Sequence, residues 1–482
     1  MKQYILFIAT LFSVVFTTKA QVDRSTPPVG NEPKELNVGA LTSITLDNGL
    51  KVYLAEVKGY PKFTISVNIT LPPNKEDDRY AEKQVLGEAY LHKLSKKYAN
   101  GEIDSLTHLL GANVSVQPYG GIVSGMKRDI DDLLFMYTDL LLNPVIKDEY
   151  ITDKTAANKK REERLKNKKP GTNKSSNFSL ADSLLFGVIE SVNENGQTQE
   201  INFTGMSVTK VEKYIADKIV ANNALVVVVG DFTKEECKGL MNKHFGNWGT
   251  GLVYAKEIDN KANKAIIQNR KIIVTDSPTA VQSRISFKWH LGDAFTFYDK
   301  HIEMEVLNEI FGASQLSYLY KNLREDKALC YSVSSSVGCT GGGGDGSIFT
   351  SVRTSETDYA IENIILEMLR IRNFKVSDND LKIAVNSLVG KHTRSLSGVA
   401  PIQYISFAMM KDEYSLPDNY MQSKVQKYYS VSTEDIFEMA KKYIEPFKCV
   451  ISITGNAKEL KGTLEQFGEV IYLDKEGKKL IF

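Results

Sequence analysis

Cysteine is scarce in these 482 residues: four thiols, at 237, 330, 339 and 449, with no two forming a Cys-x-x-Cys pair. That spacing excludes cysteine-built zinc ribbons and the dithiol redox motif. The thiols are read as buried free side chains, the usual state of isolated cysteine. The other reading is a bridge between Cys330 and Cys339 across adjacent strands, which an exported chain permits but a core of this size does not need. Long apolar runs are also lacking. After Ile5–Phe16, no stretch approaches the roughly 20 residues that cross a bilayer, so no membrane span is expected. An excess of charge of one sign is lacking too: 60 Lys and Arg face 59 Asp and Glu, a net of +1. With no long basic run interleaved with aromatics, nucleic acid is excluded as an electrostatic partner. The glycine run Gly341–Gly346 lacks the Lys-Ser/Thr of a phosphate-binding loop and reads as a hairpin tip.

What is present suits a globular protein of several domains, with 42% apolar and 25% charged residues. The basic start, the short apolar run and the small residues Thr18 and Ala20 form the pattern of a signal peptide over residues 1–20. A periplasmic or secreted protein is therefore expected. Residues 21–40, rich in proline and polar side chains, read as an extended arm. Asn48-Gly49 between two β-rich runs predicts a two-residue hairpin. Apolar spacing predicts a helix with Ile130, Leu133, Leu134, Tyr137, Leu140 and Leu141 on one face, capped by Asp129 and stopped at Asn143-Pro144. Asp153–Lys169 is so charged that it reads as a solvated helix and loop.

The pattern then repeats. Val85-Leu86 recurs as Val306-Leu307, Ile122-Val-Ser as Ile348-Phe-Thr, and Lys213-Tyr-Ile as Lys442-Tyr-Ile. The apolar run ending at Gly230 recurs in one ending at Gly455, all in order and at nearly one offset. Two copies of one unit are expected, at 41–253 and 271–482, with a linker at 254–270. Strands and helices do not strictly alternate. The expected fold is α+β, with mixed or antiparallel sheets and helices packed on one face of each.

The candidate chemistry begins at Glu88 and His92, four residues apart and so on one face of a helix. Such a pair can hold a metal, pass a proton, or simply hydrogen-bond at the surface. Several stretches extend the picture: Leu46-Asp-Asn-Gly-Leu-Lys-Val52, Leu110-Gly-Ala-Asn-Val-Ser115, Asp139-Leu-Leu-Leu-Asn-Pro144 and Leu323-Arg-Glu-Asp-Lys-Ala-Leu-Cys-Tyr-Ser332. In this order and spacing the chain resembles the insulinase/pitrilysin-type metallopeptidase family over nearly its whole mature length. The resemblance implies an inverted zinc motif, His-x-x-Glu-His, where this chain has Glu88, Leu91 and His92. Only the last is kept. The family's distant glutamate ligand falls at Glu162 or Glu163. Leu91 replaces the general base and can neither accept a proton nor orient a water, so no metal is expected on this chain.

The family's Arg and Tyr, seven residues apart, match Arg324 and Tyr331. Guanidinium and phenol are donors suited to a peptide carbonyl or a developing oxyanion. Without the resemblance, Arg324 would be read as pairing with an acidic neighbour such as Glu325. The resemblance is to the exported two-chain members, in which one subunit carries zinc and the other the Arg/Tyr pair. It implies a non-zinc subunit that binds peptide or an unfolded protein segment, with zinc on a homologous partner. Two alternatives stand: a non-catalytic structural or peptide-binding protein, and a self-sufficient zinc peptidase.

Overall fold

The computed structural model describes residues 41–71, 80–166, 184–185, 203–254, 267–293, 300–340, 343–397, 401–475 and 477–482. The expected signal peptide, the arm, the centre of the linker and the first two glycines of the Gly341–Gly346 run lie outside them. All the described residues fall within one compact unit, Val38–Phe482.

Among the described residues, twelve strands form two six-stranded sheets. The first is built from β1 (Leu41–Thr45), β2 (Lys51–Glu56), β3 (Lys62–Ile69), β4 (Asn113–Gln117), β5 (Gly120–Met126) and β6 (Ala224–Gly230). The second contains β7 (Lys271–Asp276), β8 (Gln282–Asp293), β9 (Cys330–Thr340), β10 (Gly343–Arg353), β11 (Cys449–Gly455) and β12 (Glu469–Leu473). Their spatial orders are β1-β2-β6-β3-β5-β4 and β12-β7-β11-β8-β10-β9. Laid side by side, five positions correspond strand for strand, with β6 and β11 parallel to β2 and β7 and antiparallel to β3 and β8. The sixth position differs: β1 joins β2 antiparallel, whereas β12 joins β7 parallel. The α+β fold of two similar units is therefore present.

Helices of eight residues or more connect the strands. In the first copy these are α1 (Tyr80–Leu91), α2 (Glu102–Leu110), α3 (Ile130–Leu142), α4 (Asp148–Lys166), α5 (Val208–Lys218) and α6 (Lys234–Phe245). In the second they are α7 (His301–Asn308), α8 (Thr357–Asn373), α9 (Asp378–Ser397), α10 (Pro401–Tyr414), α11 (Tyr420–Tyr429) and α12 (Thr433–Tyr443). Each repeated sequence pair lands on matching elements: Val85 and Val306 on α1 and α7, Ile122 and Ile348 on β5 and β10, Lys213 and Lys442 on α5 and α12.

Apolar spacing explains the first core. Leu133, Leu134, Tyr137, Leu140 and Leu141 of α3 are fully buried beside Val85, Leu86 and Ala89 of α1, against Phe63, Ile65, Val114 and Val123 of the sheet. β6 is buried along its whole length, the signature of a strand covered on both faces. Part of that cover comes from far along the chain. α10 packs against β6, and Lys51 at the start of β2 pairs with Asp412 of α10 at 3.0 Å.

Four local expectations need correction. The loop between β1 and β2 is longer than two residues: the strand register ends at Thr45 and Lys51. The reason is that the Asn48 amide donates to the carbonyls of Phe245 (2.8 Å) and Trp248 (3.1 Å), holding the end of α6, while Gly49 supplies the left-handed turn at φ 78°. The Asp129 side chain makes no capping hydrogen bond to α3; it reaches back to Arg128 at 3.3 Å. Gly346, at the far end of the glycine run, lies in β10 opposite Trp289 rather than in a tip, and its lack of a side chain fits the close approach of the Trp289 ring, which would stand 2.2 Å from a Cβ there. Finally, Cys330 and Cys339 lie on the same strand, β9. Nine residues at about 3.3 Å each put them roughly 30 Å apart, which rules out a bridge between them. Cys330 is free, as are the buried Cys237 and Cys449.

Candidate functional site

The first candidate cluster lies where α1 meets α4. The helix expected to carry both Glu88 and His92 ends at Leu91. Lys93 adopts a left-handed conformation, φ 47°, and the departing loop is tied down by a buried carboxylate. Asp139 of α3 accepts from Ser95 Oγ at 2.6 Å, from the Lys97 amide at 3.3 Å and from Asn143 Nδ2 at 3.2 Å. His92 sits just beyond the last turn, its amide donating to the Glu88 carbonyl at 3.3 Å.

Two residues of α4 complete the cluster. Lys154 Nζ contacts Glu88 Oε2 at 2.6 Å, and the Tyr150 ring stacks on the His92 imidazole with centroids 4.8 Å apart and planes 10° apart. His92 Nε2 lies 3.6 Å from Glu88 Oε1. Leu91 is 69% exposed. Tyr150 is buried, and burial pushes its phenol pKa up, with the nearby Glu149 and Glu88 charges adding to the effect.

Zinc needs three or four converging donors. Among the described residues, no group of three His, Cys, Asp or Glu side chains converges anywhere. Of the two glutamates matching the family's distant ligand, Glu163 is exposed on α4. It is nine residues beyond Lys154, about 13 Å along a helix axis. The side chain of Glu162 lies outside the described residues. The donor chemistry is equally adverse, because Glu88 already neutralises an ammonium at the place where a ligand would face the metal. These residues do not fit zinc.

The second cluster is built by an unusual stretch of backbone. After α7 the chain makes two wide-turned π-helical segments, Glu309–Ala313 and Lys321–Asp326, a geometry that recurs at functional sites. Leu323 is fully buried and anchors the second. Asn322 Nδ2 fixes it further by donating to Glu367 of α8 at 2.6 Å. Arg324, next in the chain, is left half-buried. Ala328 at φ 51° then turns the chain left-handed into β9.

There the register against β10 slips, so that Thr350 and Val352 face Val333 and Cys330. The extra residue makes a bulge at Tyr331–Ser332, where Thr350 Oγ1 donates to the Ser332 carbonyl at 2.9 Å. Bulges re-aim side chains, and Tyr331 emerges 84% exposed. The Arg324 guanidinium donates to the Tyr331 carbonyl. Its carbon lies over the Tyr331 ring at 4.7 Å and over the Tyr320 ring at 5.0 Å. The structure thus brings Arg324 and Tyr331 together as the sequence spacing implied. The alternative pairing of Arg324 with Glu325 is not made. β9 is an edge strand, so its outer side has no strand neighbour among the described residues.

No hydrogen bond, ion pair or ring contact joins the two clusters among the described residues. Four participants, Tyr150, Lys154, Asp139 and Tyr320, were not singled out in the sequence. Lys154 was hidden in a charged helix, although Tyr150 and Lys154, four apart, share the face turned to α1. Asp139 belongs to a stretch noted only for its resemblance. Tyr320 stands four residues before Arg324, a spacing that could have marked it.

Comparisons with known proteins bear on the fold. The family profile described as the peptidase M16 inactive domain matches residues 205–388. Over that stretch the chain is similar to the M16 peptidase inactive domain. The matched stretch includes Arg324 and Tyr331 and begins well after α1, so it carries no information on Glu88 or His92. No curated protein matches by sequence. Among solved structures, the peptidase M16 inactive domain from Pseudomonas fluorescens superposes with TM-score 0.67 at 16% identity, over 86% of this chain and 98% of that one. A protease from Helicobacter pylori gives 0.65 at 14% identity, covering 87% and 100%. The first half of the periplasmic protease PqqL from Escherichia coli gives 0.64 at 9% identity, covering 87% and 92%. At these identities the superpositions establish the M16 fold. No helix among the described residues is long and apolar enough to cross a membrane.

Proposed function

We propose that this chain is the non-zinc, peptide-holding subunit of a heteromeric M16-type peptidase, exported to the periplasm or beyond. The observation that carries the reading is the Arg324–Tyr331 contact at the start of the free edge strand β9. An extended peptide adds to such an edge through main-chain hydrogen bonds. Guanidinium and phenol then stand at one end of the added strand as donors to its carbonyls. The Glu88–Lys154 ion pair at the zinc position supports the other half of the reading, that metal and general base come from a homologous partner. The two sheet-based halves, 41–253 and 271–482, are taken as separate domains of this subunit.

The test is kinetic. In a reconstituted pair with a zinc-bearing homologous chain, Arg324→Ala should lower kcat/KM at least tenfold, the size expected when a charge-assisted hydrogen bond to substrate is lost. Tyr331→Phe should lower it less. Unchanged kcat/KM in both variants would remove the peptide-holding role and leave a purely structural protein of the same fold.

A further inference from the structure

The state of the Arg324 guanidinium says more about its ligand than the presence of a donor does. Guanidinium carries five N–H donors. Among the described residues its one hydrogen-bond acceptor is the Tyr331 carbonyl, and no Asp or Glu lies within ion-pair distance. Glu325 and Asp326 follow directly in the chain, yet both are exposed and neither reaches it. Bidentate pairing with a carboxylate is among the strongest hydrogen-bonded contacts a guanidinium makes.

This one is instead held by two aromatic rings, Tyr320 at 5.0 Å and Tyr331 at 4.7 Å. Rings fix the position of a cation without cancelling its charge. Tyr320 is fixed in turn, its amide donating to Ser317 Oγ at 3.4 Å, at the start of the segment whose buried Leu323 holds the backbone. The charge is pre-positioned, unspent and placed at the end of an edge strand.

We infer that the Arg324 site takes a carboxylate carried by the bound peptide, with Tyr320 as the residue that positions the guanidinium for it. The inference rests on the peptide-holding reading and adds the chemical class of the group recognised. A neutral main-chain carbonyl would use one donor and leave the charge unmatched. A carboxylate accepts two parallel N–H groups and neutralises it. Such a carboxylate comes either from the peptide's C-terminus or from an Asp or Glu side chain.

Three fluorescent peptides of one neutral, extended sequence separate these sources: one with a free C-terminus, one amidated, and one amidated with a single internal Glu. Their affinities for the full chain are read by anisotropy at low and high salt. At least one carboxylate-bearing peptide should bind about tenfold more tightly than the neutral one, and this preference should shrink in high salt. The peptide that shows the preference identifies the source. Arg324→Ala should abolish the preference. Tyr320→Phe should keep it, and Tyr320→Ala should lose most of it while the amidated neutral peptide binds as before. Equal binding of all three peptides, weakened equally by Arg324→Ala, would overturn the carboxylate inference and leave the peptide-holding reading intact. No binding of any peptide would overturn both. Full preference in Tyr320→Ala would overturn the positioning role.

Discussion

Restoring the family's metal ligands to α1 should give a weaker zinc site while Lys154 remains than once it is removed. The substitutions Glu88→His and Leu91→Glu, together with the existing His92, rewrite the inverted motif in full. Lys154 Nζ, however, now stands 2.6 Å from the side chain being replaced and is only 28% exposed. Zinc bound at this place would face an ammonium at about 4 Å. Two unit charges at that distance repel by about 1 kcal/mol in water and about 4 kcal/mol at an effective dielectric of 20. The double charge of zinc doubles both figures. A lysine side chain can swing outward, which favours the lower end, about 2 kcal/mol, or roughly thirtyfold in affinity. The double variant and a triple variant with Lys154→Gln would be titrated with zinc against a chromophoric competitor at two salt concentrations. The triple variant should bind roughly thirtyfold more tightly, with the gap narrowing in high salt. Equal affinities would refute the argument that a fixed ammonium has taken the metal's place.

Three further outcomes follow from the same coordinates. Asp139→Ala strips three donors of their acceptor in a buried position and should cost about 2–3 kcal/mol in urea unfolding; no loss would mean that water replaces the carboxylate. His392 is buried, and burial lowers its pKa. The carbonyl of Met421, which accepts from Nε2 at 2.9 Å, and Glu305 oppose that effect, while Lys424 adds to it. Below the ordinary histidine value of about 6.5 the unfolded chain therefore binds a proton that the folded chain resists. Stability should fall as pH drops from 7 to 5, and His392→Gln should flatten that slope; an unchanged slope would locate the titration elsewhere. Cys330 is half-buried, with its thiol pKa raised by burial. No bridge to Cys339 should form even under oxidising conditions, and mass spectrometry of non-reduced peptides covering the two cysteines would detect one.

Much of this architecture was legible in the sequence because apolar periodicity reports directly on burial. The α3 stripe read correctly, and the recurrence of Val85-Leu86 at Val306-Leu307 and of the apolar run ending at Gly230 exposed the duplication. Arg324 and Tyr331 were legible by spacing alone. What pairs with them was not, since a bulge at Tyr331–Ser332 and a left-handed Ala328 have no apolar signature. Lys154 escaped notice because a helix of mixed charge carries no pattern to show which of its faces is turned inward. The β1–β2 loop departs from a two-residue turn because Asn48 serves a partner almost two hundred residues away, the end of α6. Likewise Cys330 and Cys339 could be placed on one strand only once β9 was seen to run unbroken from Cys330 to Thr340.

The central claim divides one activity between two chains, and the most direct measurement is peptidase activity with zinc content for this chain alone, for a zinc-bearing homologous partner alone, and for their mixture. The account predicts no chelator-sensitive cleavage and no stoichiometric zinc on this chain. It predicts zinc on the partner, and cleavage that rises sharply only in the mixture. Stoichiometric zinc with peptide cleavage by this chain alone, or a partner equally active without it, would contradict the account.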